Sequence, residues 1–403
     1  MDGSGVKGRA QSDRWSNLEQ HGTLQQRFAI RGRLAIGGGL EPGAVVVENG
    51  RIAEVVRAPR DGALPPQIID VPIVAPGLID LQVNGGFGLE IGTDPTALQV
   101  LAKQLPGTGV TSYLPTLISS PAAAYRDTFA AFATACDAQG ARALGFHLEG
   151  PFLSPVWKGA HPRAAIDQSS ASLFDELLMS PWLRLMTLAP ELPGALTRIR
   201  RLRERGIQVS LGHTNATLEE FVTGIDAGAE MATHLYNAMS PFGHRAPGAI
   251  GAALTDERIT VGLIADGVHS HPASLRLAVR AKGTDRVALV TDMMAGAGMP
   301  PGRYQLGGQP VVVSETSSHL DDGTLAGAIL TLDQAVRNAV RWMDVTTAQA
   351  LQMATEVPAR VVGLAERGRI GVGAVGDLAL FAEDLRVAAT IIGGEMVFRR
   401  AEP

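Results

Sequence analysis

The sequence predicts an α/β fold: a TIM (β/α)8 barrel joined to a small discontinuous β-sandwich domain built from both chain ends. Three observations predict it. Eight short apolar runs recur along the middle of the 403-residue chain, helical patterns separate several of them, and hairpin patterns lie near both ends. Near-continuous apolar strands that alternate with helices are typical of a buried parallel sheet, and eight such units close a barrel.

The eight apolar runs each end on, or lead into, a polar or charged residue. In chain order they are "GLIDLQVN" (77–84), "VTSYLPT" (110–116), "ALGFHLE" (143–149), "LRLMTLAPE" (183–191), "IQVSLGH" (207–213), "AEMATHL" (229–235), "ITVGLIAD" (259–266) and "RVALVTD" (286–292). The carboxyl ends of barrel strands converge on the face where barrel enzymes carry their active sites. We therefore expect the polar side chains at these ends to meet.

Helices and hairpins complete the prediction. The segments 194–206 and 217–228 have helical patterns, and "AVVVENGRIAEVV" (44–56) places Asn49-Gly50 between apolar runs, a strong hairpin signal. Near the other end, "GDLALFAEDLRVAATIIGGEMVF" (376–398) has a second strand–turn–strand pattern. The predicted division is a disordered N-terminal extension (1–27), a β-domain in two parts (28–75 and 371–403) and a catalytic barrel (76–370).

Composition narrows the functional classes. Hydrophobic residues make up 45% of the chain, which is enough for a large core, and the formal net charge of −5 does not indicate nucleic-acid binding. No run approaches the length of a membrane span, and residues 1–27 lack the apolar segment of a secretory signal. The single cysteine, Cys136, cannot form an internal disulfide and suits a reducing compartment, so we expect a cytoplasmic protein.

Glu149, His213 and His234 are the candidate metal ligands. They close the third, fifth and sixth runs, and an isolated carboxylate at the end of a buried strand needs a neutralising partner. Two imidazoles and one carboxylate are a ligand set typical of a catalytic divalent cation with a position left for water. A lone histidine at a strand end is more often a structural residue, but three such residues at converging ends favour a metal site.

Other polar residues near the strand ends are candidates for catalysis or substrate contact. Asp292 closes the eighth run, where it could act as a general acid and base or cap a helix. His161 and His269 lie in loops after the third and seventh runs, and Arg245 lies in "HLYNAMSPFGHRAPG" (234–248), a loop suited to an oxyanion such as phosphate. His147 lies one layer deeper than Glu149, so a hydrogen-bonded core role is expected for it.

At these residues the chain resembles the N-acetylglucosamine-6-phosphate deacetylases, a family of the amidohydrolase superfamily. The matching segments run through the whole barrel in order: "APGLIDLQVNGG" (75–86), "HLEGPF" (147–152), "KGAH" (158–161), "LAPE" (188–191), "LGHTNAT" (211–217), "THLYNAM" (233–239), "IADGVH" (264–269), "LVTDMMAGAG" (289–298) and "LAGAILTLDQAVRN" (325–338). The resemblance implies that the protein deacetylates N-acetylglucosamine 6-phosphate to glucosamine 6-phosphate and acetate, in amino-sugar catabolism and cell-wall recycling.

The resemblance also implies roles for individual residues. Glu149, His213 and His234 would bind one divalent metal per subunit, Zn²⁺ first, with Fe²⁺, Co²⁺ or Mn²⁺ as alternatives. Asp292 would be the general acid and base, and Arg245 would reach the phosphate bound by the neighbouring subunit of a homodimer. The remaining substrate contacts implied by the resemblance are Ala160, His161, Asn237, Ala238, Asp266, Gly267, Val268, His269, Leu325, Ala326 and Gly327.

Two alternatives stay open in the sequence. Many amidohydrolases hold two metals with His-x-His on the first strand and a carboxylated lysine on the fourth, but here those strands carry Gln82, Asn84 and no lysine. A hydrolase of cyclic amides such as hydantoins is therefore disfavoured, and Gln82 is expected to position the metal-held water. The other alternative is a catalytically inactive barrel used for binding, against which the intact set of candidate ligands argues.

Overall fold

The computed structural model describes residues 24–57, 62–94, 96–135 and 139–401. Its strands are β1 (Arg27–Ile36), β2 (Gly39–Glu48), β3 (Arg51–Arg57), β4 (Ile68–Pro76), β5 (Leu78–Val83), β6 (Gly85–Gly86), β7 (Leu89–Glu90), β8 (Val110–Ile118), β9 (Arg142–Ala143), β10 (Phe146–Glu149), β11 (Leu183–Leu188), β12 (Gln208–Leu211), β13 (Met231–Ala232), β14 (Thr260–Ile264), β15 (Val287–Val290), β16 (Gly302–Leu306), β17 (Gln309–Val313), β18 (Ser318–His319), β19 (Leu378–Phe381), β20 (Val387–Ile392) and β21 (Glu395–Arg399).

The helices connect the middle strands. They are α1 (Ala97–Gln104), α2 (Ala122–Ala135), α3 (Arg163–Asp167), α4 (Ala171–Leu178), α5 (Ala195–Glu204), α6 (Leu218–Asp226), α7 (Gly248–Thr255), α8 (Pro272–Lys282), α9 (Leu332–Trp342), α10 (Thr347–Met353) and α11 (Glu356–Val361), with short 3-10 turns at Leu105–Thr108 and Thr284–Arg286. Within the described part of the chain, no helix combines the length and apolarity needed to cross a membrane.

Eight parallel strands form the predicted barrel, in the order β15, β14, β13, β12, β11, β10, β8 and β5. The two outer strands of this order meet through contacts at one end, because the backbone N–H of Asp292 donates to the Gln82 carbonyl at 3.0 Å and Val83 forms a bridge with Met293. Strand β8 runs through Pro115, which faces Val83 in the register. The barrel predicted from the apolar runs is confirmed.

Strands from both chain ends form one continuous sheet in the order β21, β20, β19, β4, β1, β2 and β3. Strand β4 joins the two halves because it pairs in parallel with β1 and antiparallel with β19. The sheet surrounds an apolar cluster of its own, which includes Phe28, Val45 and Leu380. The discontinuous β-domain is therefore confirmed, as a single seven-stranded sheet whose strands come from both ends. Of the predicted extension, residues 1–23 lie outside the described part, and Arg27 already begins β1.

The hairpin predicted over 44–56 is present as β2 and β3, with Asn49 and Gly50 at φ values of 50° and 77°. Positive φ at both turn positions matches the twist of the flanking strands, and only asparagine, aspartate and glycine adopt it at low cost.

A three-stranded insertion follows the eighth barrel strand and covers part of the barrel mouth. Strands β16, β17 and β18 form this antiparallel sheet. Its apolar side chains, among them Leu306 and Val311, pack in one cluster with Ile118 and Ala160 of the barrel. The predicted barrel interval, 76–370, contains this insertion, and Gly307-Gly308 between two alternating runs is a hairpin signal. The insertion adds a wall to the cavity described next.

Candidate active site

The ends of three barrel strands bring Glu149, His213 and His234 together. Glu149 Oε1 lies 3.2 Å from His213 Nε2 and 2.8 Å from His234 Nε2, and the two imidazole nitrogens are 3.1 Å apart. All three side chains are buried. Burial alone would raise the pKa of Glu149, but hydrogen bonds from His161, His213 and His234 outweigh it and hold that pKa well below its usual range.

The three donor atoms fit a divalent cation. The Trp157 carbonyl lies 2.9 Å from His213 Nδ1 and can only accept, so Nδ1 carries the proton and Nε2 presents a lone pair. Tetrahedral ligands about 2.0–2.1 Å from Zn²⁺ are about 3.3 Å from one another, close to the spacing seen here. A nitrogen lone pair, a carboxylate oxygen and a second imidazole nitrogen gathered in a buried space repel one another unless a proton or cation lies between them.

Unusual backbone conformations turn the key side chains into the barrel mouth. His213, His234 and Asp292 have φ values of 46°, 26° and 53°, in the left-handed region. Residues other than glycine pay roughly 1–3 kcal/mol for such conformations, which tend to persist at functional sites where the surrounding structure imposes them. Each of the three follows its strand within two residues, so the local bend directs the side chain toward the barrel axis.

Asp292 is connected to Glu149, one of the candidate metal ligands, through an amide. The Gln82 Nε2 group donates to Asp292 Oδ1 and to Glu149 Oε1, each at 3.0 Å, and Asn84 Nδ2 donates to the same Asp292 oxygen at 2.6 Å. Burial, with a smaller contribution from the charge of Glu149, raises the pKa of Asp292 to about 6. This carboxylate is therefore largely ionised at pH 7 and titrates close enough to neutrality to accept and return a proton.

His161 is held as a neutral hydrogen-bond donor. The Ser119 backbone N–H donates to His161 Nδ1 at 3.1 Å, so the proton of the neutral ring resides on Nε2. Nε2 lies 3.7 Å from Glu149 Oε2, beside the candidate metal position. Burial lowers the pKa of His161 to about 4, which keeps the ring uncharged at pH 7. A neutral Nε2–H at this position can donate to an oxygen bound next to the metal ligands.

His269 is oriented by its own loop. Asp266 Oδ2 lies 2.6 Å from His269 Nδ1, while Asp266 Oδ1 accepts the backbone N–H groups of Val268 and His269 at 2.9 and 2.8 Å. His269 therefore presents Nε2 to the cavity. Gly267, at a φ of 78°, packs against Trp342, where a Cβ would lie 3.1 Å from the indole ring.

A cavity of about 300 Å³ opens beside these groups. Its walls include most of the residues selected from the sequence, namely Glu149, Ala160, His161, His213, His234, Asn237, Ala238, His269, Asp292, Leu325 and Gly327. Six other selected residues do not line the cavity. Gln82 and Ala326 are buried, and Arg245 is exposed. The other three, Asp266, Gly267 and Val268, belong to the loop that carries His269. Within the described part of the chain, Arg245 has no recorded hydrogen bond or ion pair.

Several lining residues were not selected as site residues from the sequence. Asn84 stands at the end of the first strand, and its Oδ1 is a buried acceptor without a partner in the described structure. Trp157, Ile118 and Leu306 also line the cavity. Asn84 could have been selected because, like Gln82, it ends the first run. His147 was expected in the core, and it lies 3.1 Å from the Leu81 carbonyl and 2.8 Å from the Thr187 hydroxyl.

Comparison with known proteins places the chain in a family. A family model described as "Amidohydrolase family" matches residues 73–397. The N-acetylglucosamine-6-phosphate deacetylase of Bacillus subtilis (strain 168) is 35% identical over 381 residues, covering 89% of this chain and 93% of that protein. The N-acetylgalactosamine-6-phosphate deacetylase of Escherichia coli O157:H7 is 40% identical over 300 residues, covering 73% and 79%.

The solved structures agree. The crystal structure of N-acetylglucosamine-6-phosphate deacetylase from Pasteurella multocida superposes with a TM-score of 0.86 at 33% sequence identity, covering 92% of this chain and 99% of that one. The match includes the barrel and the terminal sheet together, because so little of either chain is left out. The chain therefore belongs to the amidohydrolase family, in the branch of the N-acetylglucosamine-6-phosphate deacetylases.

Proposed function

We propose that the protein hydrolyses N-acetylglucosamine 6-phosphate to glucosamine 6-phosphate and acetate, with one divalent metal held by Glu149, His213 and His234. The observation that carries the proposal is the Gln82 amide, which donates to both Glu149 and Asp292 at 3.0 Å. This bridge supports a role for Asp292, whose pKa is raised to about 6, as a proton acceptor next to the candidate metal ligands. Bound there, a divalent cation supplies an acidic water and polarises the acetyl carbonyl.

Side chains of the protein carry out the proton transfers and hold the acetamido group. Asp292 accepts a proton from the attacking water and later donates it to the amine as the C–N bond breaks. His161 donates its Nε2–H to the carbonyl oxygen as that oxygen gains negative charge. Asn84 Oδ1, which lacks a partner in the described structure, accepts the N–H of the acetamido group. Water is consumed, and its oxygen leaves in acetate.

The sugar and phosphate occupy the part of the cavity lined by Asn237, Ala238 and His269. Leu325 and Gly327 line the same cavity. We propose a homodimer in which the exposed Arg245 reaches the phosphate in the neighbouring subunit, since this side chain makes no recorded ion pair with described residues of its own subunit. Remote contacts of this kind orient the substrate and lower the barrier at the reacting centre.

We also propose the identity of the metal and the location of the protein in the cell. Zn²⁺ suits two imidazoles and one carboxylate, although iron, cobalt and manganese accept the same set. A single cysteine in 403 residues supports a cytoplasmic location, where the reaction would serve amino-sugar catabolism and cell-wall recycling.

Acetate release from N-acetylglucosamine 6-phosphate tests the proposal. The purified protein is assayed as isolated, after chelation, and after chelation followed by Zn²⁺. We expect activity to vanish on chelation and return with metal. A parallel panel contains N-acetylgalactosamine 6-phosphate, because one relative carries that name, and a hydantoin. Hydrolysis of the hydantoin without acetate release from either sugar would overturn the proposal, as would activity that survives complete metal removal.

A further inference from the structure

Two cavities meet at one thin wall beside the metal ligands. The active-site cavity and a second cavity of about 270 Å³ share three lining residues, Asn84, Ile118 and Leu306. Ile118 ends the second barrel strand, and Leu306 comes from the inserted hairpin. Both are nearly fully buried, at 6% and 3% exposure. The two cavities therefore adjoin at these side chains.

The hairpin tip holds this wall in place. Gly307, next to Leu306, lies so close to the barrel that a Cβ on it would be 2.5 Å from Ile118 Cδ1. The Gly307 backbone N–H donates to the buried carboxylate of Glu90, which also accepts the Thr93 hydroxyl at 3.2 Å. The position of Leu306 is therefore fixed by the hairpin contact with the barrel and by a hydrogen bond at the tip.

The order of strands around the mouth relates this wall to the candidate catalytic groups. Polar groups that suit the sugar and phosphate come after β13 and β14, at Asn237 and His269, and the proton acceptor Asp292 follows β15. The next two strands around the barrel are β5 and β8, and β8 ends at Ile118. The nitrogen lies near Asp292 and the carbonyl oxygen at His161, whose ring accepts the N–H of Ser119 directly after β8, so the acyl group lies on the β8 side of the mouth.

The chemistry of the wall agrees with an apolar substituent. Among the described residues that line the active-site cavity, the buried apolar side chains are Ile118, Ala160 and Leu306, and all three belong to one apolar cluster. A methyl group gains from this surface, whereas a sugar hydroxyl would lose its hydrogen bonds there. Resting on the proposed deacetylation, we infer that Ile118 and Leu306 form the acyl-group pocket and limit the enzyme to short N-acyl chains.

The test compares kcat/KM for the N-acetyl and N-propionyl forms of glucosamine 6-phosphate, using the metal-loaded protein. One extra methylene in a closed apolar pocket costs about tenfold or more in discrimination. We expect the wild type to prefer acetyl by at least about tenfold, and Ile118→Ala and Leu306→Ala each to reduce that preference by about tenfold. The ratio is the readout because general damage lowers both values together.

Val311→Ala is the matched control. Val311 is fully buried in the same apolar cluster but lines neither cavity, so its truncation loosens the hairpin without opening the wall. We expect the wild-type ratio to persist in this variant. If an alanine variant fails to fold, Ile118→Val and Leu306→Val give the same comparison with a smaller change.

Three results would overturn the inference: a wild type that accepts propionyl as well as acetyl, wall variants with an unchanged ratio, or a Val311 variant that shifts the ratio equally. These results are separable from failure of the proposed function, which would appear as absence of acetate release by the metal-loaded wild type. In that case the proposed function and the acyl pocket are rejected together.

Discussion

Asp80 provides a prediction with a worked magnitude. This carboxyl lies on β5, fully buried, and accepts hydrogen bonds from the Thr291 hydroxyl at 2.6 Å, the Thr291 N–H at 3.3 Å and the Gln82 N–H at 3.2 Å. It thereby joins the first barrel strand to the residue before Asp292. Burial raises the pKa of Asp80 from 3.8 to about 7 despite these bonds.

The sign of the pH effect follows from this shift. The folded pKa lies above the unfolded one, so the protonated carboxyl stabilises the fold fully below the unfolded pKa, and this stabilisation is lost as the pH rises through about 7. Between pH 5 and pH 8.5 the loss spans about two pH units, or about 3 kcal/mol at 1.36 kcal/mol per unit. An unfolding entropy of about 2.1 cal/mol/K per residue converts this into a Tm decrease of about 3 °C for a chain of this length.

Asp80→Asn removes the titration while keeping the hydrogen bonds. The amide oxygen can accept the two backbone N–H groups, and the amide NH₂ can donate to Thr291 Oγ1, whose hydroxyl then donates to the Gln82 carbonyl at 3.2 Å. Relative to the variant, the wild type should therefore lose about 3 °C of Tm between pH 5 and pH 8.5.

Thermal unfolding at both pH values, with saturating metal, measures the change in Tm for each protein. The prediction concerns the difference between the wild-type change and the Asp80→Asn change. Asp127→Asn, which removes an exposed carboxyl, controls for the change in net charge. The other groups that titrate over this range are common to both proteins and cancel. A Tm gap between wild type and Asp80→Asn that is equal at pH 5 and pH 8.5 would refute the reasoning.

Three further predictions concern the site. Asp292→Asn should keep one metal per subunit by elemental analysis but lower kcat by at least about 100-fold, because the proton acceptor is lost; near-normal turnover would contradict its role. Arg245→Ala should raise KM for the phosphorylated substrate and leave N-acetylglucosamine unaffected, and an equal effect on both would argue against phosphate recognition. Gln82→Leu removes the amide that donates to Glu149 and Asp292. We therefore expect a shift in the acidic limb of the pH–kcat profile. An unchanged limb would show that the amide does not affect the pKa of Asp292.

The barrel was predictable because each strand carries a local signal. Runs such as 259–266 and 286–292 are mostly apolar and end on a charged residue, and the structure places β14 and β15 there. Strand β13 is only Met231–Ala232, shorter than its apolar run, since the chain bends at His234 to present the side chain. The candidate ligands were found because they follow these strands.

The hydrogen bonds that set the proton positions and pKa values of the site residues could not be predicted from the sequence. Asn84 and Asp292 lie 208 residues apart in the chain, and no local pattern pairs them. The tautomer of His161 depends on a backbone N–H of Ser119, a group that every residue except proline carries. The hairpin of β16 and β17 carries a turn signal at Gly307-Gly308, but it lies inside the interval predicted as barrel, 76–370.

The terminal sheet can be completed only after most of the chain has been synthesised. Strand β4 ends at Pro76, and β19, with which it pairs, begins only at Leu378. At about 5–20 residues per second, a ribosome takes roughly 15–60 s to make the intervening segment. During that time the edge of β4 that pairs with β19 is uncovered, and an uncovered strand edge can pair with strands of other chains.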